Sequence, residues 1–223
     1  MQEQQGAGQK PKRVNPWKTI WGKPEVALDY VLRFRREEFL HRLYMGYGFV
    51  LMLALRLPDW LQGRPHIVGL MIQMLLIGPL LGLFIGYLQA NMLGLASKWL
   101  GDPVEQRLIR PLIAWTNLPF ALASGLFILL CLIVNAMAGP GQPTSGMPQF
   151  QGANAILLLG PTLLLSAYAV WIRIRAIKLL FSADGARALL LWFLSSVLTY
   201  LPILAIALLY FTIFYATIAR PGE

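Results

Sequence analysis

Apolar residues occur in long blocks along this chain, separated by short stretches that carry most of the polar and charged positions. Four blocks reach the about 20 residues that an α-helix needs to cross hydrocarbon: roughly residues 67–97, 111–137, 153–172 and 188–219. A fifth, LYMGYGFVLMLAL at residues 43–55, is shorter and ends against Arg56. Ahead of it, Pro24 suits the first turn of a helix. Leu28, Val31, Leu32, Phe39 and Leu43 then recur on one helical face, with Arg33, Arg36 and Glu37 elsewhere. That spacing predicts an amphipathic helix in the membrane interface leading into the first span. Residues 1–14 are polar and predict a disordered tail, residues 15–42 a Trp- and Pro-bearing entry segment, and residues 43–219 the membrane domain.

Charge decides whether the short block spans. Lys and Arg accumulate on the cytoplasmic side of membrane helices. With five spans, 16 of the 19 Lys and Arg fall on one side, and only Arg56, Arg64 and Arg220 on the other. With four spans the division becomes 12 against 7. The stronger bias selects an all-α membrane protein of five transmembrane helices, preceded by the cytoplasmic interfacial helix. Its N-terminus is then cytoplasmic and its C-terminus external. Arg56 would snorkel outward, and the uncharged 138–152 stretch AGPGQPTSGMPQFQG would lie outside.

Composition agrees. The chain is 57% hydrophobic and 13% charged, against roughly a quarter charged in ordinary soluble domains. The net charge of +9 sits beside the apolar blocks, which favours membrane apposition over nucleic acid. The single cysteine, Cys131, lies among large aliphatic residues and has no intrachain partner. The first twenty residues lack the apolar core of a cleaved signal peptide.

Little here predicts chemistry. All ten acidic residues fall outside the five blocks, so no carboxylate is available at mid-depth for a proton relay or for acid–base work. His41 and His66 fall on opposite faces and cannot share a metal. No catalytic, metal or cofactor site is expected.

The in-span polar residues are amides and hydroxyls. They include Gln73, Gln89, Asn91, Thr116, Asn117, Asn135, Ser166, Ser195, Ser196 and Thr199, and such groups ordinarily hydrogen-bond between helices. Gly78, Gly82, Gly86, Ala90 and Gly94 fall at every fourth position and predict a stripe where another helix approaches closely, within the fold or in a homodimer. A weak repeat pairs Gly78–Pro79 with Gly160–Pro161, and TNLP at 116–119 with TYLP at 199–202. If it marks broken helices, Gln89, Asn91, Asn117, Gly160, Pro161 and Thr199 are candidates for a cleft. Trp17 and Trp21 suit headgroup depth or the cytoplasmic helix ends; a docking surface for a soluble partner is the alternative.

Four stretches carry a family resemblance, in order: NPWKTIWGKP (15–24), GPLLGLFIGYLQANMLGLASKWLG (78–101), RLIRPLIAWTNLP (107–119) and YAVWIRIRAIKLLFSADGARALL (168–190). Together they resemble prokaryotic members of the Yip (Ypt/Rab-interacting protein) domain family of multi-pass membrane proteins. The matching positions are Trp17, Ile20, Trp21, Pro24, Gly78, Gly82, Arg107, Trp115, Pro119, Trp171 and Arg187. The loop GDPVEQ departs from the glycine-rich family pattern, and the acidic Tyr-Gly-Pro motif of the eukaryotic branch is missing, so binding to small GTPases is not implied. The resemblance implies five helices, a cytoplasmic N-terminus and residence in a prokaryotic inner membrane. The expected role is a non-enzymatic organiser or adaptor acting through its cytoplasmic face, with Trp17, Trp21, Pro24, Arg107, Trp115 and Arg187 as interface candidates. The alternative is a small lipid or solute transporter using the cleft.

Overall fold

The computed structural model describes residues 14–34, 39–61, 67–137 and 153–218. Among these residues every regular element is helical. Two short helices open the chain, α1 (Pro16–Gly22) and α2 (Pro24–Phe34). The Asn15 side chain caps α1 by accepting from the Trp17 backbone N–H at 3.1 Å, and Pro16 and Pro24 occupy first turns, where no N–H is needed. Then follow α3 (Leu40–Leu55), α4 (Leu57–Leu61), α5 (Ile67–Ile72), a π-helical turn at Gln73–Ile77 and α6 (Gly78–Trp99). Three long helices complete the chain: α7 (Gln106–Met137), α8 (Ala153–Phe181) and α9 (Gly185–Ile218).

Three segments are long and apolar enough to cross a membrane: Gln73–Trp99, Gln106–Asn135 and Gly185–Ala205. The chain is an integral membrane protein on that ground. Their outward faces carry large apolar side chains, including Leu80, Phe84, Phe193, Leu201 and Leu204, each more than half exposed to the surroundings. The shorter α3 is apolar too, and at 16 residues it is about 24 Å long. Arg56, at its end, pairs with Asp59 at 3.1 Å.

The helices α6, α7, α8 and α9 form a ring in which each packs on the next, and α3 lies against α6 and α7. The small-residue stripe explains the closest of these approaches. Gly82 rests on α3, where an added Cβ would overlap the Tyr44 carbonyl oxygen and come within 2.7 Å of Gly48 Cα. Gly48 makes the reciprocal approach to Gly78 and Gly82, and Gly86 lies under the Tyr44 ring. Here the stripe serves the fold's own core.

Some details depart from the sequence reading. The amphipathic face is divided: α2 buries Ala27, Leu28, Val31 and Leu32 and packs on α7 and α8, whereas Leu43 belongs to α3, which begins after Phe39 in a left-handed conformation. Residues 173–181, expected in a cytoplasmic loop, continue α8, leaving only 182–184 as the connection to α9. Prolines 111, 119, 161 and 202 lie within continuous helices, and only Gly78–Pro79 adjoins an irregular turn.

Candidate functional site

The continuation of α8 carries Arg173 into the helix ring. Ala169, Ile172, Ala176 and Ile177 are buried around it on one helical face, while Trp171, Arg175 and Lys178 point outward. Arg173 itself is 9% exposed. Eight residues separate it from the end of α8 at Phe181, so it lies about 12 Å inside the ring along the helix axis. On insertion scales an arginine at a span centre costs roughly 2.5–3.5 kcal/mol, and burial of Arg173 among apolar helices is costly on the same physical ground.

Its contacts offset part of that cost. Nε donates to Thr116 Oγ1 at 3.3 Å, Nη2 donates to Asn117 Oδ1, and the guanidinium lies 4.8 Å from the Phe120 ring centroid. Tyr44, Tyr47 and Tyr200 are its electrostatic neighbours. Among the described residues no carboxylate forms an ion pair with it.

The arginine fixes the orientation of two amides. Because guanidinium only donates, Asn117 must present its oxygen to Arg173 and turn its nitrogen away. That nitrogen donates to Gln89 Oε1 at 3.2 Å. Gln89 is thereby left with its own NH₂ group, whose donors meet no acceptor among the described residues. Gln89 is 6% exposed, Asn117 1% and Thr116 0%.

A cavity of about 20 Å³ adjoins this chain of donors, room for a water molecule or one oxygen atom of a larger group. It is lined by Gln89 on α6, Ile113 on α7, Arg173 on α8 and Ser195, Ser196, Thr199 and Tyr200 on α9. Tyr200 is the exposed member of this lining, at 53%, and Ser195 and Ser196 are half-buried, so the exposed wall of the cavity lies on α9. The three α9 hydroxyls donate within their own helix: Ser195 and Ser196 to the Trp192 carbonyl at 2.9 and 2.8 Å, and Thr199 to Ser195 at 2.7 Å. The TNLP and TYLP segments thus converge here, the first on Arg173 and the second on the cavity wall.

Of the cleft candidates, Gln89, Asn117 and Thr199 come together. Asn91 is exposed on the other side of α6, and Gly160 and Pro161 lie about three turns along α8 from Arg173, on none of the cavity walls. Sequence reasoning missed Arg173, because the apolar block ends at residue 172 and three basic residues follow within six positions. Helical spacing was the available signal: Ala169, Arg173, Ala176 and Ile177 share one stripe.

The interface candidates gather at one end of the ring, and all are engaged there. Trp17 packs on Trp115 with ring centroids 4.8 Å apart and meets Phe39 edge-on at 5.9 Å. The Trp21 carbonyl accepts the Tyr168 hydroxyl, and Pro24 is buried. Trp115 is buried, and its Nε1 has no partner among the described residues. Arg187 donates to the Leu100 carbonyl at 2.7 Å and pairs with Asp102 at 2.7 Å, tying α9 to the α6–α7 connection. Arg107 pairs with Glu105 on the exposed surface. Among the described residues no cluster of His, Cys, Asp and Glu could hold a metal ion, and Cys131 is buried in the small apolar cluster with Leu57 and Ile128. None of the protein-family models, curated proteins or solved structures compared with the chain matches it.

Proposed function

We propose that this protein is a five-span membrane protein that handles a small lipid or solute through the cleft enclosed by α6, α7, α8 and α9. One observation carries the reading: an arginine only 9% exposed, unpaired with any described carboxylate, adjoins a cavity whose exposed wall lies on α9. A purely architectural bundle gains little from such a group, since interhelical amide bonds would hold the ring at lower cost. The 16 to 3 charge division supports an N-terminus in the cytoplasm and the α1–α2 end of the ring at the cytoplasmic face. In this account the protein is non-enzymatic and resides in a prokaryotic inner membrane, as its resemblance to Yip proteins implies.

The adaptor reading has one specific observation in its favour. Trp17 and Trp171 remain 40% and 42% exposed at the α1–α2 end, Trp171 under an Arg175 that also pairs with Glu25, and exposed Trp is a residue type that dominates protein interfaces. Against it, the other aromatic and basic candidates there are already packed or paired.

The two readings separate on occupancy. The protein is purified in mild detergent and weighed by native mass spectrometry, alongside Ser196→Trp, which closes the cavity mouth. A cleft that handles ligands predicts a copurifying small molecule or lipid that the variant loses. Equal occupancy in both proteins, with a soluble protein partner retained instead, would favour the adaptor.

A further inference from the structure

We infer that the cleft takes an oxyanion, one oxygen of a phosphate group entering the cavity between Arg173 and Gln89. The inference rests on the cleft reading and names the chemistry of its occupant. Two sets of donors around the cavity are unspent. Nε and Nη2 of Arg173 are used on Thr116 and Asn117, and its remaining nitrogen, Nη1, has no acceptor among the described residues. The directed chain Arg173 to Asn117 to Gln89 leaves a second set of donors on Gln89 Nε2. Both side chains line the cavity and both are more than nine-tenths buried. A site with one full positive charge, two sets of free N–H donors and no described carboxylate is complementary to an anionic oxygen. It repels cations and leaves a neutral aliphatic group with unsatisfied donors around it.

Size and access narrow the ligand. Space for about one oxygen excludes complete enclosure of a phosphate, so the group sits at the mouth beside Ser196 and Tyr200 with one oxygen inserted. The Ser195, Ser196 and Thr199 hydroxyls need only rotate away from their helix carbonyls to add donors. Because the exposed wall of the cavity lies on α9, beside the outward-facing Phe193, Leu201 and Leu204 of the same helix, a phospholipid of small headgroup is the source closest to hand. Free phosphate shares the same chemistry.

The test uses delipidated full-length protein titrated with three compounds: dioctanoyl phosphatidic acid, dioctanoylglycerol with the same tails and no charge, and inorganic phosphate. Adducts are read by native mass spectrometry. Gln89→Glu supplies the missing carboxylate in an isosteric side chain that still accepts from Asn117, so it neutralises the site without reshaping it. Arg173→Gln removes the charge directly. The expected result is phosphatidic acid binding at least tenfold tighter than dioctanoylglycerol in the wild type, with that preference gone in both variants. Phosphate binding at comparable strength would identify the free anion as the source, and silence from phosphate would identify the lipid. Equal binding of the charged and neutral amphiphiles, unchanged in Gln89→Glu, would overturn the oxyanion assignment and leave a charge-blind cleft standing. Absence of binding by both phosphate-bearing compounds would also overturn it. The cleft reading itself falls separately, if Ser196→Trp leaves the copurified occupancy unchanged. The wild-type comparison of the compounds requires no variant to fold.

Discussion

Two glycines on α3, two residues apart, should respond oppositely to the same substitution. Gly46 faces open space, and a Cβ there meets nothing within 4 Å. Gly46→Ala should therefore gain helix propensity alone, about 0.5–1 kcal/mol. At Gly48 the added carbon would overlap the backbone of Gly78 and Gly82. Ordinary contact for a Cβ begins at 3.4 Å, and the reciprocal change at Gly82 places its carbon 2.7 Å from Gly48 Cα, so the two helix backbones must separate by at least about 0.7 Å. The obstacle is main chain and cannot rotate aside. Overpacking of this kind costs about 1–3 kcal/mol or more, which exceeds the propensity gain and leaves Gly48→Ala and Gly82→Ala destabilised by about 1–2 kcal/mol. At roughly 2–4 °C per kcal/mol for a chain of this size, thermal unfolding in detergent should fall by about 2–8 °C for either variant. Gly46→Ala should hold steady or rise. A Gly48→Ala melting temperature equal to that of Gly46→Ala would refute the close α3–α6 contact.

Arg187→Ala should lower thermal stability by about 1–2 kcal/mol, because a charge-assisted bond to the Leu100 carbonyl and the Asp102 pair are lost together. Arg187→Lys should recover part of the loss, since the one nitrogen Nη2 serves both partners and an ammonium can donate to both; no recovery would show that the planar guanidinium is required. Trp17→Ala should cost about 1 kcal/mol in the same assay through its ring contacts with Trp115 and Phe39, and Trp17→Phe less. No loss in Trp17→Ala would indicate a free surface. Cysteines replacing Ser182, on the α8–α9 connection, and Ser145, which lies outside the described residues, should label from opposite sides of the membrane in a Cys131→Ala background. Labelling of both from one side would contradict the five-span topology.

Long elements and small-residue contacts were legible because they follow from length and spacing. The apolar blocks at 111–137 and 188–219 correspond to α7 and most of α9, and Gly78, Gly82 and Gly86 of the four-residue stripe lie on the face that α3 covers, while Gly94 meets Gln106 of α7. Its partner Gly48 was harder to read, because a single glycine in a short apolar block has no period. Hydropathy also hid the centre of the site. An arginine following an apolar run reads as the start of a loop, and neighbouring Arg175 and Lys178 reinforce that reading. Only the helical phase separates them, since Arg173 shares a stripe with Ala169 and Ile177 while the other two fall outside it. Glycine followed by proline suggested breaks in the helices, yet α8 passes through Pro161 uninterrupted, as helices in membranes do when neighbouring groups satisfy the freed carbonyls.

Arg173, without a carboxylate partner among the described residues, lies in a cleft that polar groups can enter, and the charge preference of a thiol placed at its mouth tests this directly. In Cys131→Ala carrying Ser196→Cys, the rates of modification by anionic and cationic thiosulfonates of matched size are compared, with Phe193→Cys on the outer face of the same helix as the reference. The account predicts that the anionic reagent reacts several-fold faster at residue 196 than the cationic one, and that residue 193 shows no such preference. Equal rates at residue 196, or reaction with neither reagent, would contradict it.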